Sequence, residues 1–197
     1  MMEHAVRWPA RLVCMLGLTI LLVLIGLSWP DLEISLALEQ SPLGWLQAAF
    51  LVACAAVAGA LACQSEGRDA VGWCLIALAA LAAALDERFM GHERVQEWLY
   101  YGWLQDVEDG LRWAQSVIAV YGLAGFVLLG WLWQRIDAQS RRWCLAAVLV
   151  GLAAVAMDLA FETVTAQMVE EVLEYLSEVL LLAGWFNEVG RRACRPH

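Results

Sequence analysis

The sequence predicts an all-α integral membrane protein, and three observations carry that prediction. Of 197 residues, 62% are hydrophobic and only 17% are charged, against roughly half and a quarter in soluble domains. The apolar residues fall into six long runs rich in Ala and Leu, too long for ordinary strands. Eleven Trp residues suit the boundary of a bilayer, where an indole buries its ring and keeps its N–H wet.

The elements follow in order. A crossing helix needs about 20 mostly apolar residues, and its backbone groups must bond within the segment because lipid offers no partners. The first run covers 11–29 and stops at Pro30. With Arg7 and Arg11 before it and Ser35-Leu36-Ala37 after it, this run resembles a signal peptide. It is long for one, and we expect a retained first span. The second span covers 43–63, and the polar turn 64–69 leads into the third, 70–89. A polar, aromatic connection then runs through Asp109. The fourth, fifth and sixth spans are expected at 111–133, 142–161 and 172–189, the last ended by Gly190 and a basic tail. The whole of 1–197 reads as a single polytopic domain.

A weak internal repeat lays 79–89 on 151–161, which superposes Asp86 on Asp158, and lays Glu108-Asp109 on Glu170-Glu171. It predicts that the last four spans form a pseudo-repeated four-helix bundle. Gly122, Gly125 and Gly130 are expected to allow close helix packing.

Charge sets the expected orientation. Arg7 and Arg11, then Arg135, Arg141 and Arg142, then Arg191, Arg192 and Arg195 all fall on one side of six spans. The positive-inside rule makes that side cytoplasmic. Both termini are then in the cytoplasm of a cell (inner) membrane, with an acidic face outside. The net charge of −9 excludes nucleic acid as a partner. The lipid bilayer is the expected surrounding, with a cation as ligand and with membrane subunits or further copies of the chain as partners.

The candidate site is a set of carboxylates at the outer ends of the last four spans. Residues three, four and seven apart share a helix face. That spacing groups Asp158 with Glu162, and Glu171 with Glu174 and Glu178. It also groups Glu108 with Arg112 and Gln115, and Asp86 with Glu93 and Glu97 if the third helix runs on past the membrane surface. Acids within a bilayer are costly and face a bundle interior. Converging there, they need a metal, an arginine or shared protons. His92 beside Glu93 completes the expected metal set of Asp86, His92, Glu93, Glu108, Asp158, Glu162, Glu171, Glu174 and Glu178, holding a divalent ion. Glu-x-x-His, the di-iron signature, is missing. So are a phosphate-binding loop, a nucleophile elbow and a Cys/His framework. The six Cys residues read as apolar packing.

These residues support an outward-facing site for a divalent metal or an organic cation, used for binding or transport. An accessory subunit without its own chemistry is the alternative. A metal-dependent hydrolase acting on lipid is the third reading. The Trp98/Trp103 and Trp131/Trp133 pairs read as interface anchors.

Overall fold

The structure is a computed structural model that describes residues 8–37, 41–161 and 163–194; the side chains of Arg112 and Gln115 are outside what it describes. Its regular structure is helical throughout, with no strand among the described residues. The long helices are α1 (Trp8–Ser28), α3 (Pro42–Cys63), α4 (Gly67–Phe89), α6 (Gly110–Trp133), α7 (Ala138–Ala160) and α8 (Val164–Ala193). Two short helices, α2 (Leu32–Leu36) and α5 (Gly91–Leu99), lie between them, and α5 runs into a π-helical turn, Tyr100–Leu104.

Local chemistry explains where these helices start. The Ser41 hydroxyl accepts the Gly44 N–H at 3.1 Å, with Pro42 at the first helical position of α3. The Asp137 carboxylate accepts the N–H groups of Gln139 and Ser140 to cap α7. Thr163 accepts the Ala166 N–H at 3.2 Å to cap α8. At the other end of α4, Met90 adopts a left-handed conformation, φ 53°, which no α-helix continues through.

Among the described residues, four helices are long and apolar enough to cross a membrane: Pro9–Ser28, Pro42–Cys63, Gly67–Phe89 and Ala138–Asp158. The described apolar stretch of α6, Gly122–Trp133, is shorter. Helix α8 is different again, because it carries Glu170, Glu171, Glu174, Glu178, Glu188, Arg191 and Arg192. It is the central helix of the molecule. Helix α7 packs along it, and α3 and α1 cover two more of its sides. The most charged long helix is thus ringed by three of the most apolar ones.

That arrangement suits lipid. Leu12, Met15, Leu16 and Leu22 on α1 are exposed, as are Leu75, Leu78 and Leu81 on α4 and Leu145, Leu149 and Leu152 on α7. Water would not tolerate apolar patches of that extent on a monomer. Acids on the central helix meanwhile avoid hydrocarbon. The chain has the composition and the exposed surface of a membrane protein.

The interior has two centres. Near one end, Trp73 of α4 meets Trp185 of α8 edge to face at 6.2 Å, amid Leu61, Leu132, Ile136 and Leu182. Near the other, Phe50 meets Tyr175 at 5.2 Å, amid Leu21, Leu36, Leu43 and Val179. The Tyr175 hydroxyl donates to the Gly17 carbonyl at 2.9 Å, and a methyl at Gly17 would press on Val179 at 2.7 Å. At Gly72, a methyl would enter the Trp131 ring. These are the close approaches between helices. The glycines expected in that role, Gly122, Gly125 and Gly130, have nothing within 4 Å, because that side of α6 faces outward.

Two further expectations change. The four-helix repeat pairs α4 with α6 and α7 with α8, but these pairs are not alike among the described residues. Helices α7 and α8 run closely along each other, whereas α6 touches α4 over a short stretch around Gly72 and Trp131. The tight partner of α4 is α3. Second, the sixth apolar run is only part of a 30-residue helix, because Ala166, Gln167, Met168, Glu170 and Glu171 before it are good helix formers although three of them are polar.

Candidate functional site

Helix α8 carries Glu171, Glu174 and Glu178 at spacings of three and seven, which puts them on one side. Helix α3 answers them with Gln47, whose side chain is fully buried. Its Nε2 lies 3.5 Å from Glu174 Oε2 and 3.5 Å from the Glu171 carbonyl, the outer limit of a hydrogen bond. Glu87 of α4 reaches the same place, and the charges of Glu87, Glu174 and Glu171 all act on Glu178. Glu174 feels the charges of Glu171, Glu170 and Asp158, and among the described residues His92 acts in the opposite sense.

Among the described residues, two oxygens in this cluster are buried without a hydrogen-bond donor: Glu178 Oε2 and Gln47 Oε1. Each unsatisfied buried acceptor costs on the order of 1–3 kcal/mol. Among the described residues, these two oxygens therefore have acceptor capacity left over. A proton, an ammonium group or a guanidinium would supply what they lack.

Asp86 and His92 form a separate unit. One Asp86 oxygen accepts the His92 backbone N–H at 2.7 Å, and the other lies 2.7 Å from His92 Nδ1. This double link spans the break at Met90 and fixes α5 to the end of α4. His92 is thus tied to its own loop. Arg88, one turn back along α4, lies 4.0 Å over the Trp45 ring of α3, a cation–π contact at the same end.

The remaining expected ligands disperse. Glu93 is half-buried on α5, apart from Asp86, because α4 ends at Met90 and does not carry its face onward. Glu108 is exposed in the turn before α6, whose first residue is Gly110, so it does not share a face with Arg112. Asp158 is exposed on the last turn of α7, within electrostatic reach of Glu170 and Glu174. Glu162 lies outside the described residues. Burial and the Asp158 charge together hold the Glu170 carboxyl above the usual carboxylate range. Among the described residues, no group of three His, Cys, Asp or Glu side chains is arranged to hold a metal ion.

Sequence reasoning missed a second polar cluster at the opposite end of α8. Glu188 is fully buried. It accepts from Arg191 and, at 2.9 Å, from Arg192 Nε, and the Asp137 N–H lies 3.3 Å from its Oε2. Arg191 also pairs with Asp137 at 3.2 Å. Asn187 donates to Ser140 Oγ at 3.0 Å, and Ser140 Oγ donates to Asp137 at 3.0 Å. Arg192 reaches across to Ser65 Oγ at 2.7 Å and sits 5.5 Å over the Trp73 ring. Seven polar side chains, from the α3–α4 turn, the start of α7 and the end of α8, thus close one end of the molecule. Two signals in the sequence pointed there: Glu188 with Arg191 and Arg192 at three and four residues, and Asp137 three before Ser140 at a helix start.

The cysteines are free thiols. Cys54 and Cys144 are buried, and Cys63, Cys74 and Cys194 are exposed.

No curated protein and no solved structure matches the chain. Residues 15–189, which take in every long helix except the ends of the first and last, match the family described as Domain of unknown function (DUF8692), and the chain belongs to that family.

Proposed function

We propose that this protein crosses the membrane six times and uses the outward-facing carboxylates of α8 to take a cation, an organic ammonium or guanidinium rather than a chelated metal. The observation that carries the reading is the pair of donorless oxygens, Glu178 Oε2 and Gln47 Oε1, buried among Glu87, Glu171 and Glu174. An N–H-bearing cation satisfies both needs at once, since it supplies hydrogen bonds and offsets charge. A chelated divalent ion needs several oxygens converging on one point, and the described side chains do not offer that set.

The six-crossing topology counts α6 and α8 with the four apolar helices, as a single unit over 1–197. In that topology the arginines at the start of α1, of the α6–α7 turn and of the C-terminal end of α8 lie in the cytoplasm. The buried Glu188 cluster would then seal the cytoplasmic end, leaving the carboxylates of α8 to open outward.

The test is thermal unfolding of the purified full chain in detergent. Methylammonium, tetramethylammonium and guanidinium are compared with Mg²⁺, Ca²⁺, Mn²⁺ and Zn²⁺. A ligand that binds only the folded state stabilises it by RT ln(1 + [L]/Kd). We expect saturable stabilisation by at least one organic cation, lost in Glu178→Gln and in Gln47→Leu. Stabilisation by a divalent ion alone overturns the choice of ligand. No stabilisation by any of them overturns the site.

One observation favours a second reading, that of an assembly subunit. Helix α6 exposes Val120, Leu123, Phe126 and Val127. Between it and α7 lies an apolar cleft of about 260 Å³ lined by Phe126, Leu129, Gly130, Trp133, Leu145 and Val148. A membrane helix of a partner or of a second copy would fit there. Cross-linking from α6 in native membranes, followed by mass, separates this from a lone chain.

A further inference from the structure

The connection between α4 and α6 is chemically unlike the rest of the chain. In α5 and the turn after it, Val95, Trp98, Leu99 and Gly102 recur at spacings of three, four and seven, the signature of an apolar stripe. Glu93 and Glu97 stand on the other side. Most of the stripe is not spent on the protein: Val95 is 42% exposed and Trp98 62%, Leu99 is half-buried, and beside the stripe Tyr101 and Trp103 are 68% and 70% exposed. What the protein does hold is the opposite edge, where Gln96 Nε2 is buried and His92 is fastened to Asp86.

The exposed aromatics are ordered against one another. Trp98 and Trp103 meet edge to face at 6.3 Å, and Tyr100 and Tyr101 at 5.1 Å. Apolar side chains are also exposed on the flanking helices, Leu85 and Phe89 at the end of α4 and Trp113 at the start of α6. The segment 91–109 carries five carboxylates, Glu93, Glu97, Asp106, Glu108 and Asp109, against the single Arg94.

We propose that α5 and its π turn lie along the outer headgroup layer of the membrane, with the Val95–Trp98–Trp103 edge at the acyl boundary and the carboxylates among zwitterionic headgroups. Amphipathic helices that lie in this plane bury their apolar face at the headgroup boundary, and Trp and Tyr concentrate at that depth. The acidic side selects the lipid. It repels an anionic headgroup and suits a terminal ammonium, which also finds aromatic faces beside it. The segment would then act as a strap on the surface above the α8 carboxylates, anchored at one end by the Asp86–His92 link. This inference rests on the six-crossing topology proposed above, which sets the outer side, and does not need its cation.

The test uses the unaltered full chain in nanodiscs of phosphatidylcholine or of phosphatidylglycerol, each doped with the same lipid bearing a photoreactive group next to the headgroup. Cross-linked peptides are mapped by mass spectrometry. We expect strong labelling of 95–104 from phosphatidylcholine and at least a several-fold drop from phosphatidylglycerol. Trp98→Glu should lower labelling of this segment while labelling of α1 is unchanged, which reports that the fold survives. Equal labelling from the two lipids overturns the headgroup selection. Labelling of α1 with none in 95–104 overturns the proposal altogether and leaves the aromatic edge to an external protein.

Discussion

Replacing Glu188 with Gln keeps the shape of a fully buried side chain and removes its charge. In the native protein that carboxylate accepts from both Arg191 and Arg192 and lies near the Asp137 N–H. The amide leaves one oxygen to accept and turns an NH₂ group toward two guanidiniums. Arg191 retains Asp137 at 3.2 Å, and Arg192 retains Ser65 Oγ at 2.7 Å. Breaking a buried pair by removing one partner costs about 3–5 kcal/mol, because the other charge stays buried. With those two contacts left, the expected loss is at the lower end, about 3 kcal/mol, or roughly a hundredfold in the folding equilibrium. The assay is equilibrium unfolding in mixed micelles, followed by tryptophan fluorescence, with Asp69→Asn as the control. Asp69 pairs with Arg135 at 2.7 Å, but its side chain is half exposed, and such pairs are worth less than about 1 kcal/mol. If the two variants lose similar stability, burial of the Glu188 cluster is not what makes it matter, and the reasoning fails.

Other outcomes follow from the packing. Gly72→Ala drives a methyl into the Trp131 ring and should cost about 1–3 kcal/mol, with α6 becoming more accessible to protease or hydrogen exchange. Tyr175→Phe removes the hydrogen bond to the Gly17 carbonyl and should cost about 1 kcal/mol, read by the same unfolding assay. Glu170 gives a pH dependence. Its carboxyl is held above the usual range by burial and by Asp158, so the folded state binds this proton more tightly than the unfolded one. Its contribution favours folding at low pH and is lost as pH rises through the raised value. Glu170→Gln should flatten the stability curve across that window.

The helices were legible because their punctuation is strong. Pro30 and Pro42 mark two boundaries, and the polar turn 64–69 and Asp137 mark others, so α1, α3, α4 and α6 lie within a few residues of their apolar runs. Helix α8 starts earlier than its run because Gln167, Glu170 and Glu171 lower hydropathy without opposing helix formation. The break at Met90 carried almost no signal, since Gly91 beside it is compatible with either a cap or a continuing helix. That one break ends the continuous face on which Asp86, Glu93 and Glu97 were expected to lie together. The face of α8 bearing Glu171, Glu174 and Glu178 could be read from spacing alone. Its partner could not, because periodicity says which side of a helix is polar and nothing about which neighbour meets it. Gln47 was therefore missed: it sits in an Ala-rich run assigned to lipid, while the weak repeat drew attention to the last four helices. The small-residue contacts failed for the same reason, as Gly72 and Gly122 look alike until α6 is docked.

The central claim is that the buried oxygens of Glu178 and Gln47 receive a cation. Difference infrared spectroscopy of the full chain in lipid, with and without methylammonium, follows the carboxylate bands directly. The account predicts a saturable change in those bands that is absent in Glu178→Gln. Bands that do not respond to the cation, or that respond equally in wild type and Glu178→Gln, would contradict it.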